Sequence, residues 1–116
     1  MNIIRIGDFV TLNQAVTPDE GELIYEKIIS YIGEGNAVVL DFSDIQLMTT
    51  AFLNTALGNL YKDYSSAQLN ELLKLENLHV GDMARVKKVV DNAKKFYANA
   101  DTFNKNVDDA IYGKGL

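Results

Sequence analysis

The chain contains no cysteine, one proline and one histidine among its 116 residues. Without cysteine it has no disulfide, no thiolate nucleophile and no zinc or iron–sulfur site built on cysteine ligands. The single histidine, His79, argues against a metal site with several histidine ligands. No apolar run approaches the roughly 20 residues that span a bilayer, and the first residues lack the charged start and cleavage site of a signal peptide. We therefore expect a cytoplasmic protein that uses no metal, no cofactor and no membrane.

Basic residues are scarce: 11 lysines and arginines stand against 16 aspartates and glutamates, and the formal net charge is −5. A duplex binder needs several phosphate contacts from lysine and arginine, so this balance argues against nucleic acid as the main partner. The charges are also unevenly distributed. Residues 1–44 hold two basic and eight acidic side chains, whereas residues 79–98 hold five basic and two acidic ones. This asymmetry favours a specific contact with a protein or an anionic ligand.

The N-terminal third of the chain carries signals for a hairpin and then a helix. Short apolar runs on either side of Gly7–Asp8 predict a hairpin or a bent strand. Thr17 is a natural N-cap, Pro18 fits the first helical position, and Glu20 completes a capping box with Thr17. Gly33 supplies the end of this helix. Its core side is predicted from an apolar residue at every fourth position: Ile24, Ile28 and Ile32.

A continuous apolar run over residues 37–42 predicts a strand in the interior of a sheet. Both of its faces are apolar, which is typical of a strand that helices cover on two sides. A second helix is predicted to begin at Thr49–Thr50 and to run to about Tyr64, with leucines and tyrosines at helical spacing. The loop between these elements therefore joins the end of a buried strand to a helix start.

The C-terminal third predicts one more strand and one more helix. Ser65–Gln68 indicates a break, and Leu69–Leu75 fits a strand or a helix. A helix is predicted to begin after Gly81–Asp82, with one apolar face made by Met83, Val86, Val90, Ala93 and Tyr97. Residues 99–116 form a tail with apolar residues at helical spacing, for which Asp101–Thr102 offers a separate N-cap. We expect a short docked helix there, or a segment that folds onto a partner or onto a second copy of the chain.

Strands that alternate with helices predict an α/β fold with a mainly parallel or mixed central sheet and helices packed against it. The length fits one domain, because a chain of this size buries about two-thirds of its unfolded surface. Residues 1–98 are assigned to this domain and residues 99–116 to the tail.

Several segments resemble STAS-like domains, the superfamily that includes the anti-sigma-factor antagonists. In these domains a hydrophobic strand ends in Asp and an apolar residue, and a short loop and a Ser/Thr pair then open the next helix. The matching segments of this chain are Val38–Ile45, Met48–Phe52, Phe52–Tyr61, Leu75–Leu78 and Val89–Tyr97. The likeness covers residues 3–98, and from Phe52 onward the segments resemble still more a branch of small, largely uncharacterised bacterial STAS-like proteins.

The resemblance implies a STAS-like fold and a regulatory function that works through protein contacts without catalysis. By analogy with the antagonists, it implies a protein partner, either an ATP-binding kinase-like protein or another signalling protein. The phosphorylatable antagonists carry an Asp-Ser-Ser-Gly-like sequence where this chain reads Thr49-Thr50-Ala51-Phe52, so the Asp before the hydroxyl pair and the Gly after it are missing. Related proteins often have Ser-Arg at the first helix start, where this chain has Thr17-Pro18.

The first candidate site is the loop after the central strand together with the start of the second helix. Its residues are Asp44, Thr49, Thr50 and Asn54. A threonine at a helix start usually caps the helix, which stabilises it by ~1 kcal/mol. The functional alternative is phosphorylation of Thr49 or Thr50, which would add about −1.5 to −2 charges and change the surface offered to a partner.

The second candidate site is a basic face of the last helix, formed by Arg85, Lys88 and Lys95. Such a run is most often a solvated face, and the functional alternative is docking of an acidic partner or of nucleotide phosphates. Asp41 and Asp44 fit turn formation and capping better than acid–base work or Mg²⁺ binding, because no nucleophile or phosphate loop accompanies them. The runner-up function is a small-ligand or nucleotide-binding module that uses the carboxyl-terminal strand edge and this basic helix. An enzyme is the weakest hypothesis.

Overall fold

The computed structural model describes the backbone of residues 2–112 and the side chains of residues 2–98. The strands are β1 (Asn2–Arg5), β2 (Gln14–Ala15), β3 (Val38–Asp41), β4 (Leu47–Met48) and β5 (Leu73–Glu76). The helices are α1 (Pro18–Ile32), α2 (Thr50–Ala56), α3 (Ser66–Leu72) and α4 (Val80–Tyr112), and short 3₁₀ turns cover Ile6–Asp8 and Gly58–Lys62. This order and the parallel pairing of the strands confirm the predicted α/β fold.

The main sheet is built around β3. β1 and β5 pair with it in parallel on either side, so the strand order is β1-β3-β5. Val38, Val39 and Leu40 are 1%, 4% and 0% exposed. β-Branched residues and leucine suit a strand that has neighbours on both edges. The predicted interior strand is confirmed.

Among residues 2–98, helices cover one face of this sheet, so the prediction of cover on two sides is wrong. Side chains alternate along each strand, and Ile4 and Leu40 belong to the core that the helices close. On the opposite face, Ile3 and Lys74 flank Val39 in register and are exposed, Ile3 by 58%. Val39 lies between these two neighbours on the middle strand and is itself buried. Its burial therefore reflects its central place in the sheet, and no second helix layer covers this face in the part of the chain that the structure describes.

α1 forms as predicted from its capping box. The Glu20 backbone N–H donates to Thr17 Oγ1 at 3.1 Å, and the Thr17 N–H donates to the Glu20 carboxylate, also at 3.1 Å. Burial opposes ionisation of Glu20, but hydrogen bonds from Thr17 and its neighbours prevail and lower the pKa of the carboxyl. Ile24, Ile28 and Ile32 are buried, in agreement with their four-residue spacing.

α1 packs closely on α2 at Gly21. A Cβ atom at this position would lie 2.6 Å from the Phe52 carbonyl oxygen and 2.9 Å from Thr55 Cβ. Only a residue without a side chain allows this approach. The contact fixes α2, and with it the first candidate site, against α1.

α2 is shorter than predicted. It ends at Ala56 rather than near Tyr64, and the chain continues as the 3₁₀ turn Gly58–Lys62. Leu53 in α2 and Leu60 in the turn are both buried. The apolar spacing that predicted one long helix is thus shared by two short elements that contribute to the same core.

α3 begins where the sequence indicated a break. Ser65 and Gln68 form a second capping box, and the helix runs to Leu72. The chain is extended from Leu73, and β5 follows directly. Of the two alternatives for Leu69–Leu75, the helix applies to the first half of the segment and the strand to the second.

α4 begins at Val80, and its backbone continues without a break to Tyr112. The prediction that a separate helix begins at Asp101–Thr102 is therefore wrong. The predicted docking of the tail concerns side chains 99–116, which lie outside the described residues. Within residues 2–112 no helix is apolar over a long enough stretch to cross a membrane.

The core face of α4 differs from the prediction in two positions, Met83 and Val89. Val86, Val89 and Ala93 are buried. Met83, which was predicted to share this face, is 51% exposed, because the helix meets the rest of the domain only from its second turn onward. Phe96 is 65% exposed and contacts Tyr97 edge-to-face, with ring centroids 4.9 Å apart.

Candidate functional site

Two short strands that the sequence did not predict position the loop before α2. β2 and β4 pair in parallel, with Ala15 opposite Met48, and both residues are buried. The Thr49 N–H donates to the Ala15 carbonyl oxygen at 3.0 Å and extends this pairing. Strands of two residues leave no alternation to detect in a sequence. They attach the start of α2 to the segment that leads into α1.

Thr49 is the N-cap of α2 and is half-buried. Its hydroxyl accepts a hydrogen bond from the Phe52 N–H at 3.2 Å and donates one to the Val16 carbonyl oxygen. The hydroxyl is thus bonded on both sides to the backbone. Thr49 acts as a structural cap.

Thr50 differs from its neighbour because it is exposed. It is the first residue of α2, and Asn54, one turn further along, is exposed as well. Residues four apart in a helix lie on the same face. Of the two hydroxyls in the pair, that of Thr50 is the one that solvent reaches.

Asp44 forms an ion pair at the end of the sheet, apart from the other three residues of this candidate site. Its backbone has a φ of 64°, in the left-handed region, and its carboxylate pairs with the Arg5 guanidinium at 2.6 Å. Arg5 also lies 3.8 Å from the Asp8 carboxylate. The predicted group of four residues is therefore divided: Thr49, Thr50 and Asn54 lie on α2, whereas Asp44 belongs to the end of the sheet.

The carboxyl-terminal edge of the sheet carries a connected set of polar side chains. Arg5, Asp41 and Glu76 end the three paired strands in register. The Asn77 amide and the Ser43 backbone N–H each donate to Asp41 Oδ1 at 2.8 Å. The hydrogen bond from Asn77 is the largest of the influences that lower the pKa of Asp41. Among the described residues no three histidine, aspartate or glutamate side chains are grouped so as to hold a metal ion.

An exposed leucine pair beside the loop was not anticipated from the sequence. Leu12 and Asn13 have φ of 54° and 56° and form the centre of a tight turn that the Gln14 N–H closes by donating to Thr11 O at 3.0 Å. Leu12 is 78% exposed, and Leu47, which pairs with Gln14 in β4, is 51% exposed. The apolar run that ends at Leu12 indicated a strand there. The signal that could have revealed the turn is Asn13, since asparagine favours left-handed turns.

The basic face of α4 is only partly free of ion pairs. Arg85 contacts the Asp82 carboxylate at 2.9 Å. Lys88 and Lys95 are exposed and make no ion pair among side chains 2–98. The structure thus separates the predicted set of three into one paired arginine and two lysines on the outer side of the helix.

A groove of about 290 Å³ between α2 and α4 connects the two candidate sites. Asn54 lines it from α2, and Asn92 and Phe96 line it from α4. Asn92 also borders a neighbouring depression that contains Lys88 and Lys95. Asn54 of the first candidate site therefore lies close to the helix that carries the basic face.

A family model for the STAS-like domain of unknown function (DUF4325) matches residues 20–83, more than half of the chain, from the first turn of α1 into α4. The chain belongs to this family. No curated protein and no solved structure matches it significantly. The first candidate site, Asp44 to Asn54, falls inside the matched segment of the STAS-like domain, whereas Leu12 precedes it and the basic face of α4 follows it.

Proposed function

We propose that this STAS-like domain is a non-enzymatic regulatory module that binds a protein partner. The contact surface consists of Leu12, Leu47, Thr50 and Asn54, which we name the loop surface. The observation that carries the proposal is the conformation and exposure of Leu12. A bulky residue in the left-handed region raises the backbone energy by roughly 1–2 kcal/mol. An exposed leucine in that state gives the isolated fold nothing in return, so contact with a partner explains why it stands there.

The arrangement of the loop surface supports a rigid contact. The Gln46 N–H donates to the Asn13 carbonyl oxygen at 2.9 Å and joins the turn to the loop before β4. Hydrogen-bonded backbone therefore joins the turn that carries Leu12 to the strand that carries Leu47. Exposed apolar side chains held in fixed positions provide the central contacts of many protein interfaces.

The partner we propose is an ATP-binding kinase-like or other signalling protein, by analogy with the anti-sigma-factor antagonists. Phosphorylation at Thr50 would be the switch. Thr50 is exposed on the loop surface, so a phosphate there would add about −1.5 to −2 charges at the contact without displacing a core residue. Thr49 is the weaker candidate because its hydroxyl already bonds to two backbone groups.

The test is quantitative capture of partners from the native host. The full chain is immobilised and bound proteins are identified by cross-linking and mass spectrometry, with wild type, Leu12→Asn, Thr50→Asp and Ile3→Asn compared side by side. We expect Leu12→Asn and Thr50→Asp to lose the same cross-linked protein that wild type and Ile3→Asn retain. Ile3 is the matched control because it is 58% exposed on the open face of the sheet, away from the loop surface. Equal capture by all four proteins would refute the proposal.

A second candidate function is binding of a small ligand or nucleotide at the carboxyl-terminal strand edge and the basic helix. It is favoured by the polar side chains that close three parallel strands, because ligands of open α/β sheets gather at that edge. The apolar cavity of about 190 Å³ between α3, β5 and α4 contains none of the candidate residues. Thermal shifts against a nucleotide and metabolite panel separate the two functions, since a ligand at 100 times its Kd stabilises by roughly 2.7 kcal/mol.

A further inference from the structure

The outer face of α1 is acidic and carries one exposed leucine. Asp19, Glu22 and Glu26 are exposed on the side of the helix opposite the buried isoleucines. Leu23 lies beside them and is 49% exposed. These three acids make no ion pair among side chains 2–98. We name these four residues the acidic face.

The outer face of α4 has the opposite charge and one exposed aromatic ring. Lys88, Asn92 and Lys95 are exposed there, and Phe96 lies beside them with 65% of its surface accessible. The edge-to-face contact with Tyr97 holds the Phe96 ring in place, and the Tyr97 hydroxyl is anchored by donating to Asn59 Oδ1 at 3.3 Å. An exposed aromatic ring beside lysines is suited to a contact surface.

The charged residues of the two faces have the same spacing along their helices. Asp19 and Glu26 are seven residues apart, as are Lys88 and Lys95, which is about 10.5 Å along each helix. If the helices dock in antiparallel orientation, Asp19 lies opposite Lys95 and Glu26 opposite Lys88. At about 100° per residue, Leu23 and Phe96 are rotated away from their charged rows in the same sense, so antiparallel docking places both on the same side of the contact.

We propose that a second copy of this chain binds the outer face of α4 formed by Lys88, Asn92, Lys95 and Phe96. In this contact the acidic face on α1 of one copy docks antiparallel on α4 of the other. Both faces point away from the core of their own domain, so the pairing forms between chains. The net charge of −5 opposes association of two copies in general, whereas this orientation brings opposite charges together locally. The charge pairs that carry this proposal involve no residue of the loop surface, although Asn54 borders the same groove as Asn92 and Phe96.

The strength of the contact is expected to be modest. Exposed ion pairs are individually weak, and the apolar part consists of one leucine and one phenylalanine per contact. We therefore expect a dissociation constant in the micromolar range. The measured mass should exceed the 12.9 kDa of the monomer only at high protein concentration. A charge-swap experiment tests the pairing directly, because it changes attraction into repulsion and back.

The experiment is sedimentation equilibrium of the full chain over a wide concentration range. Glu26→Lys alone and Lys88→Glu alone each place like charges opposite one another, and each should weaken self-association by about tenfold or more. The double variant E26K/K88E restores opposite charges in exchanged positions, and its association constant should return to within about threefold of wild type. An equimolar mixture of the two single variants should associate like the double variant.

Two charge variants outside both faces test whether the effect depends on position rather than on net charge. Glu71→Lys and Lys74→Glu make the same charge changes at exposed positions in α3 and β5, outside both faces, and should leave association unchanged. Circular dichroism confirms that each variant is folded. A wild type that stays monomeric at every concentration overturns the proposal, as does a double variant that remains as weak as the singles. Weakening by Lys88→Glu without weakening by Glu26→Lys would assign the basic face to a different acidic segment and would likewise overturn it.

Discussion

Asn77, the residue after β5, holds Asp41, the last residue of β3: the Asn77 side-chain amide donates to Asp41 Oδ1 at 2.8 Å. The two residues are 36 positions apart in sequence and meet because the parallel strands end at the same edge. Asn77 has a φ of 61°, so a left-handed turn directs its side chain back over the sheet. The hydrogen bond closes the strand edge from which the loop to α2 departs.

This relationship predicts a pH-dependent stability. The pKa of Asp41 is lowered in the folded state, chiefly by the Asn77 hydrogen bond, so ionised Asp41 stabilises the fold above its unfolded pKa. That stabilisation is lost as the pH falls through the folded pKa. Asn77→Gly keeps the left-handed turn but removes the amide. The variant should show a raised Asp41 pKa by carboxyl NMR titration and a larger destabilisation at neutral pH than in acid.

Asn13→Gly is the control for this variant. It makes the same substitution at another left-handed position, with φ of 56°, away from Asp41. The Asp41 titration should be unchanged in it. An Asp41 pKa that does not move in Asn77→Gly would contradict the assignment of the shift to this hydrogen bond.

Leu12→Asn is expected to stabilise the isolated domain. Asparagine adopts the left-handed region with little strain, so the free energy of unfolding should rise by about 0.5–1 kcal/mol, measured by urea denaturation. The side chain is 78% exposed, so little burial is lost. A variant that gains stability while losing partner capture would separate the functional role of Leu12 from any structural one. Destabilisation by more than about 0.5 kcal/mol would show that the leucine supports the fold.

The adjacent threonines should respond differently to substitution. Thr49→Ala removes the N-cap of α2 and should lower the free energy of unfolding by about 1–2 kcal/mol. Thr50→Ala should change it by less than about 0.5 kcal/mol because the side chain is exposed. Thr50→Asp should leave the melting temperature nearly unchanged. Calorimetry on the three variants tests this, and equal losses at both positions would contradict it.

Gly21→Ala should destabilise the domain although alanine is the better helix former. Its Cβ would meet the Phe52 carbonyl oxygen at 2.6 Å, and forced displacement of packed backbone costs about 1–3 kcal/mol against a propensity gain of about 1 kcal/mol. Gly81→Ala is the control: no atom outside its own helical turn lies within 4 Å of the added Cβ, so stability should stay the same or rise. Thermal unfolding of both variants measures the difference, which should vanish if α1 and α2 are loosely packed.

Leu40→Ala should remove about 2–5 kcal/mol from the free energy of unfolding, because Leu40 is fully buried at the centre of β3. Ile3→Ala, on the open face of the sheet, should remove far less. Chemical denaturation of both compares the two faces directly. Similar losses at both positions would mean that the face opposite the helices is covered as well.

Local signals in this sequence were sufficient for the elements whose determinants lie close together in the chain. The capping box of Thr17 and Glu20 predicted the start of α1 because both partners lie within one helical turn. The apolar run of residues 37–42 predicted β3, since a short continuous apolar run with Val38 and Val39 is typical of a buried strand. The STAS-like resemblance, carried by the same region, is confirmed by the family match.

The sequence by itself determined where α1 begins, that a buried strand lies at the centre, and that Thr49–Thr50 opens a helix. The tertiary structure alone decided that one hydroxyl of that pair is used by Val16 and Phe52 while the other is exposed, because the bonding partner Val16 lies 33 residues away. It also decided that the sheet is covered on one face, since the apolar pattern of β3 is the same whether strands or helices shield it. Contacts between distant segments carry no local periodicity, and for that reason the pairing of β2 with β4 and the exposure of Leu12 became visible only in the folded chain.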